Sequence, residues 1–533
     1  MFLLLCFCAA PAAAAPRPAL LLPEGLVISS ITIETHNVFE TELPEEDKAA
    51  YRAANRIHRI TREYVIMREL LFEVGDQYNA DLAAETERLL RALPFIRRAE
   101  IEPVSNRDGT VTVTVRTYDA WSLELVGNYK RAGGATAIKA GLAEDNILGL
   151  GKSGSAVYSN SWGAASTDFK YKDRQFLNYK RMQYAMAART APGSQSLLLS
   201  LDRPFFASIA RKATGASLNY AAAPDEGETR RRVEAGVYYG VSMAPSPRRT
   251  RRFTFGLLVR RAESTGPVPD RDRSLTLQLG AEWEELDFLM VRRIRKFTHD
   301  EDYNLGLGVF PTLGLAPAIR SLGAMETRFV PGIKLTKGFT WGDQLLFLDS
   351  GYSSSYANGY NSDIRTYLDA SYFLRGLRYQ TIALHTRADL AWRIDDDEQL
   401  TLGEFNGLRG YGVDQFKGSR RFLSNAEDRV FVWDELFRLI DIGAVFFFDS
   451  GYAWPAESPV RLRDLKNSVG LGLRAAPSVA AEYSAPKPIL SRPKAESRSG
   501  TNSEIRKVWP KPEKRVRSTP EASTRGWAPM SPA

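Results

Sequence analysis

From about residue 119 to residue 476 the chain alternates apolar and polar side chains with a period of two, and that regularity excludes most folds. Leu275, Leu277, Leu279, Ala281 and Trp283 alternate with Thr276, Gln278, Gly280 and Glu282; Val233, Ala235, Val237, Tyr239 and Val241 repeat the pattern, as do Phe253, Phe255, Leu257 and Val259. In residues 380–394, Ile382, Leu384, Ala388, Leu390 and Trp392 share one face, with His385, Arg387, Asp389 and Arg393 on the other. Strand side chains point alternately to two faces, so each segment has an apolar and a polar side. Segments of roughly ten residues with polar or Gly-rich connections fit a transmembrane antiparallel β-barrel, apolar towards lipid and polar towards the lumen. Closing the sheet pairs the backbone groups, as hydrocarbon demands. A soluble β-sandwich or solenoid also alternates, but a secretory leader, aromatic-rich strand ends and many long strands favour the barrel.

The leader is residues 1–19, MFLLLCFCAAPAAAAPRPA, an apolar stretch followed by small residues of A-x-A type. It lacks a basic n-region, which points to a true start upstream of Met1. Cys6 and Cys8 are the only cysteines, so a cleaved chain has neither disulfides nor thiol chemistry. The net charge of +8 is concentrated at the other end: residues 481–533 hold 11 Lys/Arg, 5 Asp/Glu and eight prolines, without periodicity. Residues 479–533 therefore read as a basic, Pro-rich tail, either disordered or the product of a frameshift near residue 478, and not as a nucleic-acid-binding segment.

Residues 25–118 read as a small α+β unit of order β-α-α-β-β. LVISSITIETHNVF is strand-like, Glu45–Arg62 is helical in composition, and Asp76–Leu93 holds a better helix. There Leu82, Thr86, Leu89, Leu90 and Leu93 share a face, Asn79 is the expected N-cap, Asp81 lies in the first turn and Pro94 ends the helix. RAEIEP and TVTVTVRTYD form a hairpin across Asn106-Arg107-Asp108-Gly109, and Thr110–Arg116 is the expected edge strand.

GLGKSG (149–154) has the spacing of a dinucleotide loop, with Asp168 further on. Position 146 is asparagine where a Walker loop needs glycine, and the following SAVYSNSW alternates like a strand. Without a helix N-terminus no dipole faces a phosphate. Gly149, Gly151 and Gly154 read as turn and bulge residues where an early barrel hairpin reverses.

Three motifs then carry a family likeness: GLAEDNILGLGKSG (141–154), GLRGYGVDQF (407–416) and GAVFFFDSGYAW (443–454). In this order, behind an α+β unit, they resemble the POTRA-plus-barrel superfamily of outer-membrane proteins, the surface-antigen relatives of BamA, TamA and the two-partner secretion transporters. The likeness covers about residues 25–476. It implies a periplasmic POTRA-like domain (25–118) and a sixteen-stranded outer-membrane barrel (119–478), with a closing strand or strands missing if the tail is a frameshift product. It also implies that Asn146, Gly149 and Gly151 mark the barrel-opening hairpin, that Leu408-Arg409-Gly410-Tyr411 folds back into the lumen, and that Phe447, Asp449 and Gly451 form a wall motif. Arg409 and Asp449 would be the ion pair that locks loop to wall, since a charge in a lumen needs a partner. Family members usually carry more than one POTRA domain, whereas one is visible here.

The function implied is insertion of outer-membrane proteins or translocation of polypeptide, with clients bound by β-strand addition. Expected partners are unfolded outer-membrane or secreted proteins, outer-membrane lipid and lipopolysaccharide, with periplasmic chaperones or accessory lipoproteins as further candidates. The alternatives are a transport channel with a docking POTRA and a truncated, non-functional family member. No enzyme, cofactor or metal is expected: His36, His58, His299 and His385 are dispersed, H-E-x-x-H and G-x-S-x-G are absent, and His385, Arg387 and Asp389 read as lumen-lining charges. The basic run VRRIRKF (291–297) reads as a solvated turn, with contact to lipid headgroups as the second reading.

Overall fold

The computed structural model describes residues 24–477 except 43, 45–46, 133–134, 162–163, 226–227, 265–270, 295–300, 323, 325, 378, 395–398, 404–405, 413 and 437–439. The expected leader (1–19) and tail (479–533) lie outside the described residues.

The N-terminal domain runs β1 (Ile28–His36), α1 (Ala49–Ile57), α2 (Glu63–Met67), α3 (Ala80–Arg91), β2 (Ile96–Ser105) and β3 (Val111–Asp119). α3 begins as expected: the Asn79 side chain accepts from Leu82 N at 3.0 Å, and Asp81 stands in the first turn. Ala83, Thr86, Leu90 and Leu93 pack inward, whereas Leu82 and Leu89 are only half-buried. α2 adds a helix that was not expected; five residues are too few to display a helical period, yet Val65 and Ile66 are buried.

The sheet order is β1-β3-β2, with β1 parallel and β2 antiparallel to β3. This corrects the expectation for Thr110–Arg116, which is central and not an edge. Hairpin chemistry pairs β3 with β2 but cannot reveal that the distant β1 takes its other side. Val111, Val113 and Val115 are wholly buried there. β2 is a guarded edge: Ile101 N donates to the Glu87 side chain at 2.7 Å, and Pro103, two residues on, has no N–H. β1 is the edge without those two guards.

Eighteen strands, from Leu123–Ala132 to Lys466–Pro477, form an antiparallel sheet that curls until the last lies beside the first. This is two more than the sixteen expected. Turns such as Pro192-Gly193, Gly342-Asp343 and Asn358-Gly359 span only two residues, so alternation continues across them and hairpins merge when read in sequence. The first six strands have 9–10 residues, enough to cross a bilayer core when tilted; the later ones reach 17.

Val237, Phe255 and Leu279 project outward, 53%, 51% and 48% exposed, while Gln278, Glu282, His385 and Asp389 lie on the opposite face of their strands. An outward apolar belt around a curled antiparallel sheet suits hydrocarbon and not water. Among the described residues, no run of register pairs joins the last strand to the first. Leu125 on one flank of that seam is 70% exposed, and Val469 and Leu473 on the other are 77% and 76% exposed.

Candidate functional site: a loop locked to the wall above a docked domain

The strands Gln380–Trp392 and Arg420–Leu436 are joined at the end away from the N-terminal domain, the far end, by residues 393–419. This connection folds back into the lumen through a short ladder, Leu400–Leu402 with Phe416–Gly418. Leu408 is fully buried with Leu402, Leu423 and Ala453, while Tyr411 and Phe416 pack on the same cluster. Gly410 supplies the bend, with φ +83°, a conformation L side chains avoid. The Tyr411 hydroxyl then donates to Asn467 O at 2.9 Å, tying the loop to the last strand.

The Arg409 guanidinium meets Asp449 side-on, Nε to Oδ2 at 2.7 Å and Nη2 to Oδ1 at 2.5 Å, and the Arg409 backbone N–H adds a third bond at 3.2 Å. Its remaining nitrogen, Nη1, donates to Glu427 Oε1 at 2.8 Å, and its plane lies 3.6 Å above the Phe447 ring. The Asp449 and Glu427 side chains have no exposure. Asn425 Nδ2 bridges Asp449 (2.7 Å) and Gly407 O (2.8 Å), so the carboxylate is saturated by donors before solvent can reach it. Phe447, Asp449 and Gly451 share the inward face of their strand, and Gly451 leaves room for Leu402.

Asn425, Glu427 and Arg429 complete this network without appearing in the sequence motifs. They occupy every second position of one strand, so the signal was a polar period of two. That pattern marks an inward face but not which residue meets which.

The opening motif GLGKSG lies at the other, near end and meets the N-terminal domain. Asn146 Nδ2 donates to Thr61 Oγ1 at 2.8 Å, its Oδ1 accepts from Gly151 N at 2.8 Å, and Arg62 N donates to Gly149 O at 3.0 Å. Gly149 and Gly151 have φ of +72° and +67°; a Cβ on them would fall 2.3 Å from Ile60 O and 2.8 Å from Val65 Cγ1. These glycines let the barrel touch the domain, and Lys152 pairs with Asp173 at 3.0 Å. Asp168 belongs to the strand Ala164–Asp173.

Further near-end turns grip the same domain. Arg181 forms a buried ion pair with Glu69, whose Oε1 also accepts from Gln175 Nε2 at 3.1 Å. Ser208 N donates to Glu85 at 2.7 Å, and Arg91 holds Asp302 through two bonds of 3.0 and 2.9 Å. At the junction, buried Asp119 binds His58 Nε2 and Thr61 N, each at 2.8 Å.

His385, Arg387 and Asp389 share the inward face of one strand and join an ion network with Asp369 and Arg421. The described part of VRRIRKF, residues 291–294, departs from both expectations: Val291 and Ile294 are buried against the inner wall, while 295–297 lie outside the described residues. Among the described residues, no group of three His, Cys, Asp or Glu is placed to hold a metal ion.

Searches with the sequence found no matching family model and no matching curated protein. The structure is similar to BamA from Haemophilus ducreyi lacking POTRA domains 1–3, at 12% identity over 86% of this chain and 82% of that one, with a TM-score of 0.34. It is also similar to CdiB from Escherichia coli (10% identity, 87% and 92% covered, TM-score 0.41) and CdiB from Acinetobacter baumannii (9%, 85% and 74%, 0.40).

Proposed function

We propose that this chain is an outer-membrane protein that inserts other barrels into the outer membrane or passes polypeptide across it, with its N-terminal domain in the periplasm. The observation that carries this reading is the lock of Arg409 onto Asp449 and Glu427. It holds the chain's own loop in the lumen, where a solute channel needs open polar space. Activity is then sought at strand edges, which recognise extended polypeptide through backbone hydrogen bonds largely independent of sequence. Two such edges support it: β1 of the N-terminal domain, and the seam between Leu123–Ala132 and Lys466–Pro477. Clients would be unfolded outer-membrane or secreted proteins, presented by periplasmic chaperones or accessory lipoproteins; the apolar belt sits in outer-membrane lipid and lipopolysaccharide.

Depletion of the protein in its host tests this. Folded forms of other outer-membrane barrels, or one surface-exposed secreted protein, should fall while their synthesis continues. If these stay constant, and the purified protein instead conducts ions in planar bilayers, it is a transport channel with a docked domain.

A further inference from the structure

Between the strands Arg271–Glu285 and Gly308–Ala316, the near-end connection forms a ladder of its own, Phe288–Val291 with Glu301–Asn304. Its described arms turn into the barrel. Val291 and Ile294 are 4% and 1% exposed, packed against Leu345, Phe373 and Ala383. Those three residues are on the inward faces of their strands, because their alternates Leu346, Tyr372 and Leu384 pair on the lipid side with Phe339, Leu346 and Tyr372. The backbone of this segment is fixed by the wall: Thr381 Oγ1 donates to Arg293 O at 3.2 Å, and Arg429 Nη1 donates to Ile294 O. Asn304 secures its base, donating to Glu284 Oε1 at 3.0 Å and Glu285 O at 2.8 Å.

Each end of this hairpin meets another part of the molecule. At its outer end, Asp302 takes the paired bonds from Arg91 of α3, and the Arg88 guanidinium lies 3.6 Å over the Phe288 ring. At its inner end, the arginine that holds Ile294 O donates through Nε to Glu427 Oε2 at 3.0 Å. Glu427 Oε1 is the acceptor of Arg409. One carboxylate thus receives the far-end loop on one oxygen and the near-end hairpin's anchor on the other. Arg429 is the largest fully buried side chain in the described structure, so neither bond is exchangeable for water without opening the lumen.

We propose that the hairpin is a mechanical link through which the position of the N-terminal domain sets the stability of the lumen loop. Displacing α3 pulls Asp302, withdraws Ile294 from Arg429, and leaves Glu427 to rebalance between its two arginines, loosening Leu408–Tyr411. The physical requirement for such coupling is an element whose arrangement both sites bias, and the hairpin contacts both. The link holds whatever the barrel acts upon.

Hydrogen exchange on the full-length protein in liposomes tests it without an activity assay. Asp302→Ala and Arg91→Ala should each speed exchange in residues 288–294 and also in 406–412, by about five-fold or more, as local opening becomes easier. The charge-reversed pair Arg91→Asp with Asp302→Arg should return both segments towards the wild-type rate. Arg429→Met cuts the link in the middle and should speed 406–412 while leaving α3 unchanged. Arg248→Ala, which removes an exposed contact to Asp81, should move neither segment. Heat-modifiable migration on gels checks that each variant has a folded barrel, and Asp302→Asn replaces any that does not. Acceleration confined to 288–304, or an unchanged 406–412 with Arg429→Met, overturns the proposal.

Discussion

Arg409 and Asp449 face each other through two parallel bonds of 2.7 and 2.5 Å, and Asp449 has no solvent exposure. Removing one member of a buried pair strands the other, typically at about 3–5 kcal/mol. Asp449→Ala and Arg409→Ala should therefore weaken resistance to thermal unfolding, and function, by similar amounts. The double variant should be no worse than roughly the larger single, because the second change removes a group whose bidentate partner is already gone. Additive losses would show that the two residues do not form a lock.

Gly151→Ala should loosen the joint between domain and barrel. The new methyl would lie 2.8 Å from Val65 Cγ1 on a backbone at φ +67°, a left-handed conformation costing roughly 1–2 kcal/mol for an L residue. Asn146→Ala removes bonds to both Thr61 and Gly151, costing about 1–3 kcal/mol for the groups left behind. Protease release of the N-terminal domain from the folded full chain measures this. Each variant should be cleaved about ten-fold faster for every 1.4 kcal/mol lost, and unchanged rates would mean the turn is not a joint.

Burial raises the Glu87 carboxyl above its usual range, against the opposing effects of the Ile101 N–H and Arg91. A carboxyl raised on folding favours the protonated state. Its contribution is fully present below the unfolded value of 4.5 and is lost as pH rises through the higher folded value. Glu87→Gln keeps an acceptor for Ile101 N without the charge. It should slow hydrogen exchange in β2 at pH 7 and change it little at pH 4. Faster exchange at pH 7 would contradict this sign.

Much of the architecture was legible because period-two alternation directly encodes a sheet with one lipid face. Leu277, Val237, Phe255 and Trp392 all project where the pattern put them. The pairs Arg409–Asp449 and Asn146–Gly151 fell on motif residues, so their positions were marked in advance. Glu427 and Arg429 were not, since alternation gives a face but not a register. The pairing of Asn425 with Asp449 depends on how two strands slide past each other. Arg91–Asp302 and Glu69–Arg181 join residues more than a hundred positions apart, and no local pattern announces them. The central place of β3 was hidden likewise, because each β1 residue pairs with a partner more than eighty positions further on.

If clients add to the N-terminal domain, they should add at β1. A photo-crosslinker at Thr32, exposed on β1, should capture unfolded barrel protein, whereas one at Glu102 on β2 should not, because Glu87 and Pro103 blunt that edge. Capture at Glu102 alone would assign recognition to the other edge.

On the function proposed above, the barrel acts on polypeptide through its edges while its own lumen stays filled. Folding of a urea-denatured outer-membrane barrel into liposomes, with and without the purified full-length protein, tests it most directly. Wild-type protein should accelerate folding by about ten-fold or more, a barrier change near 1.4 kcal/mol, and Asp449→Ala should lose most of that gain. No acceleration, together with steady ion conductance by the same preparation, would instead make the protein a transport channel.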